Sequence, residues 1–170
     1  MHKTIRILGL DPGLRNLGWG WIAVQGSHLS FGACGIIRPD ANLPLAERLA
    51  RLFEATAELV RQHQPDEAAM EETYVNDNPR SALYLGQARG AAMAGLGVTK
   101  LPVQEFAPAT IKKAVTGSGR ADKEQVTAMI ARLLPKAEGA RKDAADALAI
   151  AICAAYHRPT RLLALQGAHA

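Results

Sequence analysis

The 170-residue sequence lacks the features that mark several large protein classes. No apolar run is long enough to cross a bilayer, and no signal-peptide hydrophobic region precedes the first strand-like segment, so we expect a cytoplasmic protein without membrane contact. The two cysteines, Cys34 and Cys153, stand apart in apolar surroundings and predict small, reduced core residues. The five histidines are scattered without zinc-ligand spacing.

The composition is that of an ordinary globular protein, with 48% apolar and 21% charged residues. We expect one domain over residues 1–170, with an ordered core at about 4–157 and a frayed C-terminal tail. The net charge of +4 is by itself a weak indication of polyanion binding. Position says more, because ten basic residues follow one another along the C-terminal part. They are Lys112, Lys113, Arg120, Lys123, Arg132, Lys136, Arg141, Lys142, Arg158 and Arg161.

The hydrophobic pattern predicts three strands on short connections, followed by helices that alternate with two further strands. The predicted strands are 5–11, 18–24, 29–37, 67–71 and 101–106. The predicted helices are 45–60 or slightly longer, ending before Pro65, then 79–96, 108–115, 122–134 and 142–156. This order predicts an α/β fold with a mixed five-stranded sheet that is flanked by helices on both faces.

Four carboxylates lie at the ends of predicted elements. Asp11 ends an apolar strand before a Pro-Gly turn, and Glu71 ends another strand. Asp143 and Asp146 are three residues apart, and this spacing puts both on one face of an otherwise Ala-, Leu- and Ile-rich helix. Because unpaired buried carboxylates are costly, the four acids together indicate a site for a hard divalent cation.

Each acid also has a structural interpretation that the sequence leaves open. Asp11 is a suitable turn-forming residue before Pro-Gly, and Glu71 could pair with a lysine. Asp143 could cap its helix, and Asp146 could be a first-turn acid favoured by the helix dipole.

Small residues recur at every fourth position of the predicted helix 79–96, at Ala82, Gly86, Gly90 and Ala94. They form a smooth ridge on one side of the helix, although each glycine costs roughly 1 kcal/mol in helix propensity. The ridge indicates close approach by another element. That element is either the protein's own sheet or the same helix of a second copy in a two-fold dimer.

Six blocks of the sequence, in order, resemble the RuvC family of junction resolvases. The blocks are LGLDPG at 8–13, GWG at 18–20, MEE at 70–72, SAL at 81–83, LGQARG at 85–90 and DAADALA at 143–149. The resemblance covers nearly the whole chain, from about residue 4 to residue 157.

This resemblance implies an RNase H-like fold and a homodimer that cuts four-way (Holliday) DNA junctions by symmetric paired nicks in recombination and repair. It implies a magnesium-dependent site, with manganese able to substitute and two ions in each active site. The implied partner beyond junction DNA is a branch-migration helicase complex of the RuvA and RuvB type. The implied catalytic and metal-binding residues are Asp11, Glu71, Asp143 and Asp146, and the implied DNA-binding residues are Tyr74, Lys112 and Lys123. Arg120, which lies between the two lysines in the sequence, is also expected to bind a backbone phosphate.

Several alternatives to this function are compatible with parts of the sequence. Residues 11–18 also resemble the phosphate-binding turn of sugar-kinase or actin-like ATPases, although those proteins need two lobes and this chain is too short for both. The chain could also be another RNase H-like nuclease, one that acts on RNA–DNA hybrids or replication intermediates. A non-catalytic branched-DNA binding module is the non-enzyme alternative, and the intact acids argue against it. Tyr74 could be a core lid rather than a stacking residue, and Trp19 and Trp21 are expected in the core or on a strand face.

Overall fold

The computed structural model describes residues 3–72, 78–137, 139–140 and 142–167. It contains five strands and five α-helices in those ranges, with a short 3₁₀ turn (Pro135–Ala137) before the last helix. The strands are β1 (Ile5–Asp11), β2 (Leu17–Gln25), β3 (His28–Ile37), β4 (Glu67–Glu71) and β5 (Val103–Phe106). The helices are α1 (Leu45–His63), α2 (Pro79–Gly97), α3 (Pro108–Thr116), α4 (Lys123–Leu133) and α5 (Lys142–Gly167).

The five strands form one mixed sheet, as predicted, and the strand order in that sheet is β3-β2-β1-β4-β5. The first three strands make an antiparallel meander, because two-residue and short turns join them. β4 pairs parallel with β1, and β5 pairs parallel with β4, each after a helical crossover. The carboxyl ends of β1, β4 and β5 therefore lie at one edge of the sheet.

Helices cover both faces of this sheet, which confirms the predicted layers. Along β1, Ile7 joins the core under α3, α4 and α5, whereas Leu8 and Leu10 join the core under α1 and α2. This alternation of buried residues to two faces is the pattern of a central strand. Packing on both faces thus holds β1 in place, and with it the backbone of its last residue, Asp11.

Side-chain caps fix the starts of two helices. Asn78 caps α2 by accepting hydrogen bonds from the backbone N–H groups of Arg80 and Ser81, and Pro79 takes the first helical position. Asp122 and Gln125 form a reciprocal capping box at the start of α4.

A few predictions about single residues and boundaries need correction. α5 continues to Gly167 instead of ending at residue 156. Beyond Pro159, the run Leu162, Leu163, Ala164 and Leu165 consists of residues that favour a helix. Cys153 is buried as predicted, but Cys34 is only half-buried on the outer part of the sheet.

Trp19 and Trp21 lie on a strand face, where both rings contact the imidazole of His63. Within the described ranges, no helix has the length and apolar character needed to cross a membrane.

Candidate active site

Parallel pairing of β1 with β4 places two of the predicted acids at the same sheet edge. Leu10 is in register with Met70, so the next residue of each strand is Asp11 and Glu71, respectively. Adjacent strands are about 4.8 Å apart, which brings the two carboxylates to neighbouring positions.

The other two acids arrive on the first turns of α5, which lies very close to the sheet. A Cβ atom built on Gly9 would overlap the carbonyl oxygen of Ala147, and one built on Gly18 would overlap the carbonyl oxygen of Asp143. Only glycine at these two strand positions allows the helix backbone to approach so closely. The approach carries Asp143 and Asp146 to the end of β1.

The four acids (Asp11, Glu71, Asp143 and Asp146) are hereafter called the acid cluster. Carboxylate oxygens of Asp11, Asp143 and Asp146 all lie within 4.8 Å of one another, and the three side chains are partly buried. Glu71 lines a cavity of about 290 Å³ together with Asp11 and Asp146. The structure therefore brings all four predicted acids together, and Asp143 lies inside the first turn of α5 instead of capping it.

Electrostatics at the cluster favour the binding of positive charge. Burial and the nearby carboxylates of Asp146, Glu71 and Asp143 together raise the pKa of Asp11 to about 7, although Lys123 acts to lower it. Burial and Asp146 also raise the pKa of Glu71, against the effect of Lys123 and Lys112. A turn-forming or capping role for single acids does not explain carboxylates held against mutual repulsion.

The donor set fits a divalent cation. Oxygen ligands from several carboxylates, at separations that one ion can bridge, suit magnesium or manganese, and a bound cation would relieve the repulsion that raises these pKa values.

Two of the predicted DNA-binding residues lie beside the acids. Lys112 and Lys123 line the same 290 Å³ cavity as Glu71. This cavity is hereafter called the lysine cavity. The Nζ atom of Lys123 also lies 3.4 Å from Oδ2 of Asp146. Arg120 is exposed on the turn between α3 and α4 and does not line this cavity. Tyr74 lies outside the described residues.

Sequence reasoning missed two features next to the acids. Arg89 on α2 donates from Nε to the backbone carbonyl of Glu71 at 3.3 Å and pairs with Glu105 on β5, so it supports the end of β4. Its place in the LGQARG block, directly after the buried Ala88, was the signal available. The second feature is a larger cavity on the other side of Asp11, which includes Arg15 and Arg48.

The small-residue ridge of α2 faces outward. Gly86, Gly90 and Ala94 are exposed, and a Cβ atom on either glycine would meet no atom of the described residues within 4 Å. The opposite side of α2, with Ala88, Ala92 and Leu96, forms the contact with the core. Packing of the ridge on the protein's own sheet, one of the two interpretations, is therefore wrong.

A family model described as "Crossover junction endodeoxyribonuclease RuvC" matches residues 7–154. The chain belongs to the RuvC family. Among curated RuvC proteins, this family member is 57% identical to that of Hyphomonas neptunium, over 95% of this chain and 97% of the relative. It is 56% identical to that of Azorhizobium caulinodans, over 92% and 93% of the two chains.

Solved structures agree with this membership. The chain resembles Thermus thermophilus RuvC in complex with a Holliday junction substrate, with a TM-score of 0.86, 30% identity and coverage of 92% of this chain and 96% of that one. A yeast mitochondrial Holliday junction resolvase shares the fold at 17% identity and a TM-score of 0.63, covering 90% and 78% of the chains. This RuvC family member thus has the RNase H-like fold that its motifs imply, and the ATPase alternative is set aside.

Proposed function

We propose that this RuvC family member is an endodeoxyribonuclease that resolves four-way (Holliday) DNA junctions by symmetric paired nicks in recombination and repair. The observation that carries the proposal is the acid cluster, with two lysines beside it, at one edge of an RNase H-like sheet. The chain's membership of the RuvC family and its likeness to a RuvC structure bound to junction DNA support the choice of substrate.

In this proposal the four acids hold magnesium, with two ions in each active site and manganese able to substitute. When bound, divalent cations would lower the pKa of the attacking water and stabilise the negative charge that develops on the scissile phosphate. Asp11 is the central ligand because its carboxyl group interacts electrostatically with each of the other three acids. Glu71 and Asp143 complete the donor set from β4 and from the first turn of α5.

The chain's basic residues position the DNA. In this proposal Lys112 and Lys123, which line the lysine cavity, bind backbone phosphates, and such contacts fix the strand without reading its sequence. Arg120, exposed nearby in the chain, contributes a phosphate contact farther from the acids. Tyr74 is retained as the candidate for stacking on a junction base, a role that suits tyrosine.

A homodimer is part of the same proposal. Two copies related by a two-fold axis would present two acid clusters to a substrate of near two-fold symmetry, which paired nicking requires. The outward ridge of α2, next to the 61% exposed Leu83, is the candidate seam because small residues allow two helices to approach closely.

A helicase complex of the RuvA and RuvB type is the proposed partner. The proposed location is the bacterial cytoplasm, where chromosomal DNA lies.

The test is a cleavage assay with a synthetic four-way junction and magnesium, run beside linear duplex and an RNA–DNA hybrid. Asp11→Asn is the catalytic variant, and Asp40→Asn, an exposed aspartate in the loop before α1, is the matched control. We expect paired nicks on opposing strands of the junction alone, from the parent and from Asp40→Asn.

Other outcomes would point elsewhere. Preferential cutting of the hybrid would assign the chain to another branch of RNase H-like nucleases. Tight junction binding without cleavage, with either magnesium or manganese and across several junction sequences, would indicate a non-catalytic binding module.

A further inference from the structure

A second cavity, of about 660 Å³, adjoins the acid cluster on the side away from the lysines. Its walls come from the loop after β1, from α1 and from α2, and Asp11 and Asp143 form its inner end. Asp11 also lines the lysine cavity, whose other walls come from α3, α4 and α5. The two cavities therefore extend from the acid cluster toward opposite faces of the sheet. The larger one is called the arginine cavity below.

Cationic and neutral donors line the arginine cavity. Arg15 is exposed and makes no hydrogen bond or ion pair with the residues that the structure describes. Arg48 is held in place because its guanidinium donates to the carbonyl oxygen of Leu14 at 3.0 Å. Its Nε atom has no acceptor among those same residues. Arg38 donates to Oδ1 of Asn16 at 3.1 Å, which leaves the amide NH₂ of Asn16 as a donor.

The opposite wall comes from the start of α2. Ser81 and Tyr84 line it, and the guanidinium of Arg80 lies 5.8 Å from the centre of the Tyr84 ring. The cavity thus combines two arginines with an amide, a hydroxyl and an aromatic ring. Its carboxylates are confined to the end that it shares with the acid cluster. Such a lining matches an anionic, partly apolar ligand the size of a nucleotide.

We propose that the arginine cavity binds the nucleotide next to the scissile phosphate, with Arg15 contacting its phosphate. The inference rests on the proposed nuclease function. A cation beside the phosphate on each side of the cut would hold a DNA strand in place across the acid cluster. The lysine cavity supplies one side and the arginine cavity supplies the other. Arg48 positions the loop that carries Arg15, because it bonds to the neighbouring Leu14.

The first test measures junction binding at several salt concentrations, in an Asp146→Asn background so that no strand is cut. Asp146 does not line the arginine cavity. Arg15→Gln should reduce the slope of log affinity against log salt by about 0.9, the value for one lost phosphate contact. The matched control is Arg51→Gln on the exposed side of α1, where Arg51 pairs with Glu54. It removes the same charge and should leave the slope unchanged.

The second test locates the contact with junctions that carry one uncharged methylphosphonate in place of a phosphate beside the cleavage site. At one such position the substitution should weaken binding by the background protein and by Arg51→Gln. The same substitution should not weaken binding by Arg15→Gln any further, because that variant already lacks the arginine that would contact this phosphate. If Arg15→Gln matches Arg51→Gln in both measurements, the cavity assignment is overturned while the nuclease function stands. If the background protein binds junction no better than linear duplex, the proposed function itself fails.

Discussion

The ammonium group of Lys123 lies 3.4 Å from Oδ2 of Asp146 and so joins the start of α4 to the acid cluster on α5. Lys123 is the first residue of α4, where the capping box between Asp122 and Gln125 fixes the backbone. A cation held in this way offsets part of the repulsion among the carboxylates, since Lys123 lowers the pKa of both Asp11 and Glu71. Lys123 is therefore part of the cluster's electrostatics as well as a candidate phosphate contact.

Removal of this cation should make magnesium binding more sensitive to pH. In Lys123→Gln the pKa values of Asp11 and Glu71 should rise, so that protons compete more strongly with magnesium at pH 6 than at pH 8. The ratio of magnesium affinity at pH 8 to that at pH 6 should therefore be larger in Lys123→Gln than in the parent. Calorimetry without DNA would measure it, with Lys136→Gln, an exposed lysine outside the lysine cavity, as control. An unchanged ratio would contradict the electrostatic role of Lys123.

The stability of the metal-free protein should fall as pH rises from about 4 to about 7. The pKa of Asp11 is raised from 3.8 to about 7, so the folded chain keeps a proton that the unfolded chain releases in this range. The stabilisation is complete below about pH 4 and is lost as pH passes the folded-state pKa. Urea unfolding in EDTA at several pH values would measure the trend. Asp11→Asn should flatten it and Asp40→Asn should not. An equally steep decline in Asp11→Asn would assign the trend to other groups.

Asp146→Asn should separate DNA binding from cleavage. Loss of one carboxylate ligand should reduce the rate of junction nicking by ~100-fold or more, which corresponds to ~3 kcal/mol of transition-state stabilisation. The lysine side chains that approach the phosphates are retained, so junction affinity should stay within about threefold. Single-turnover nicking and gel-shift titration would give the two quantities. A variant that nicks at the parent's rate would remove Asp146 from the catalytic set.

Gly18→Ala should displace the start of α5. Its Cβ atom would overlap the carbonyl oxygen of Asp143, so the helix must shift away from β2 and take the Asp143 carboxylate with it. We expect a loss of about 1–3 kcal/mol in the free energy of unfolding and weaker magnesium binding. Gly97→Ala is the control, because a Cβ there meets no described atom within 4 Å. Equal stability and metal affinity in the two variants would show that close approach at Gly18 is not required.

Gly90→Arg should disrupt the proposed dimer. Gly90 lies on the exposed ridge of α2, and arginine has a higher helix propensity than glycine, so the folded monomer should be unharmed. Sedimentation velocity at micromolar concentration should show dimer for the parent and monomer for the variant. Ala50→Arg, on an exposed position of α1, should sediment as the parent does. If Gly90→Arg remains dimeric, the seam lies elsewhere, and a monomeric parent would reject the dimer.

The sequence by itself determined the elements and the identity of the acids. Apolar runs and turn residues predicted β1 and β4, with Asp11 and Glu71 at their ends, because such patterns act over short distances. The spacing of Asp143 and Asp146 likewise predicted that both would share one helix face. The motif blocks added the family, and with it the expectation that the acids would meet.

The tertiary structure decided which of these local features came together. The pairing of β1 with β4 and the close approach of α5 over Gly9 and Gly18 depend on contacts between distant parts of the chain. No local pattern predicts them. For the same reason the sequence left two interpretations of the α2 ridge, and only the packing of the opposite face of α2 on the core turned that ridge outward. The arginine cavity also required the fold, because its walls come from three separate segments that no sequence spacing relates.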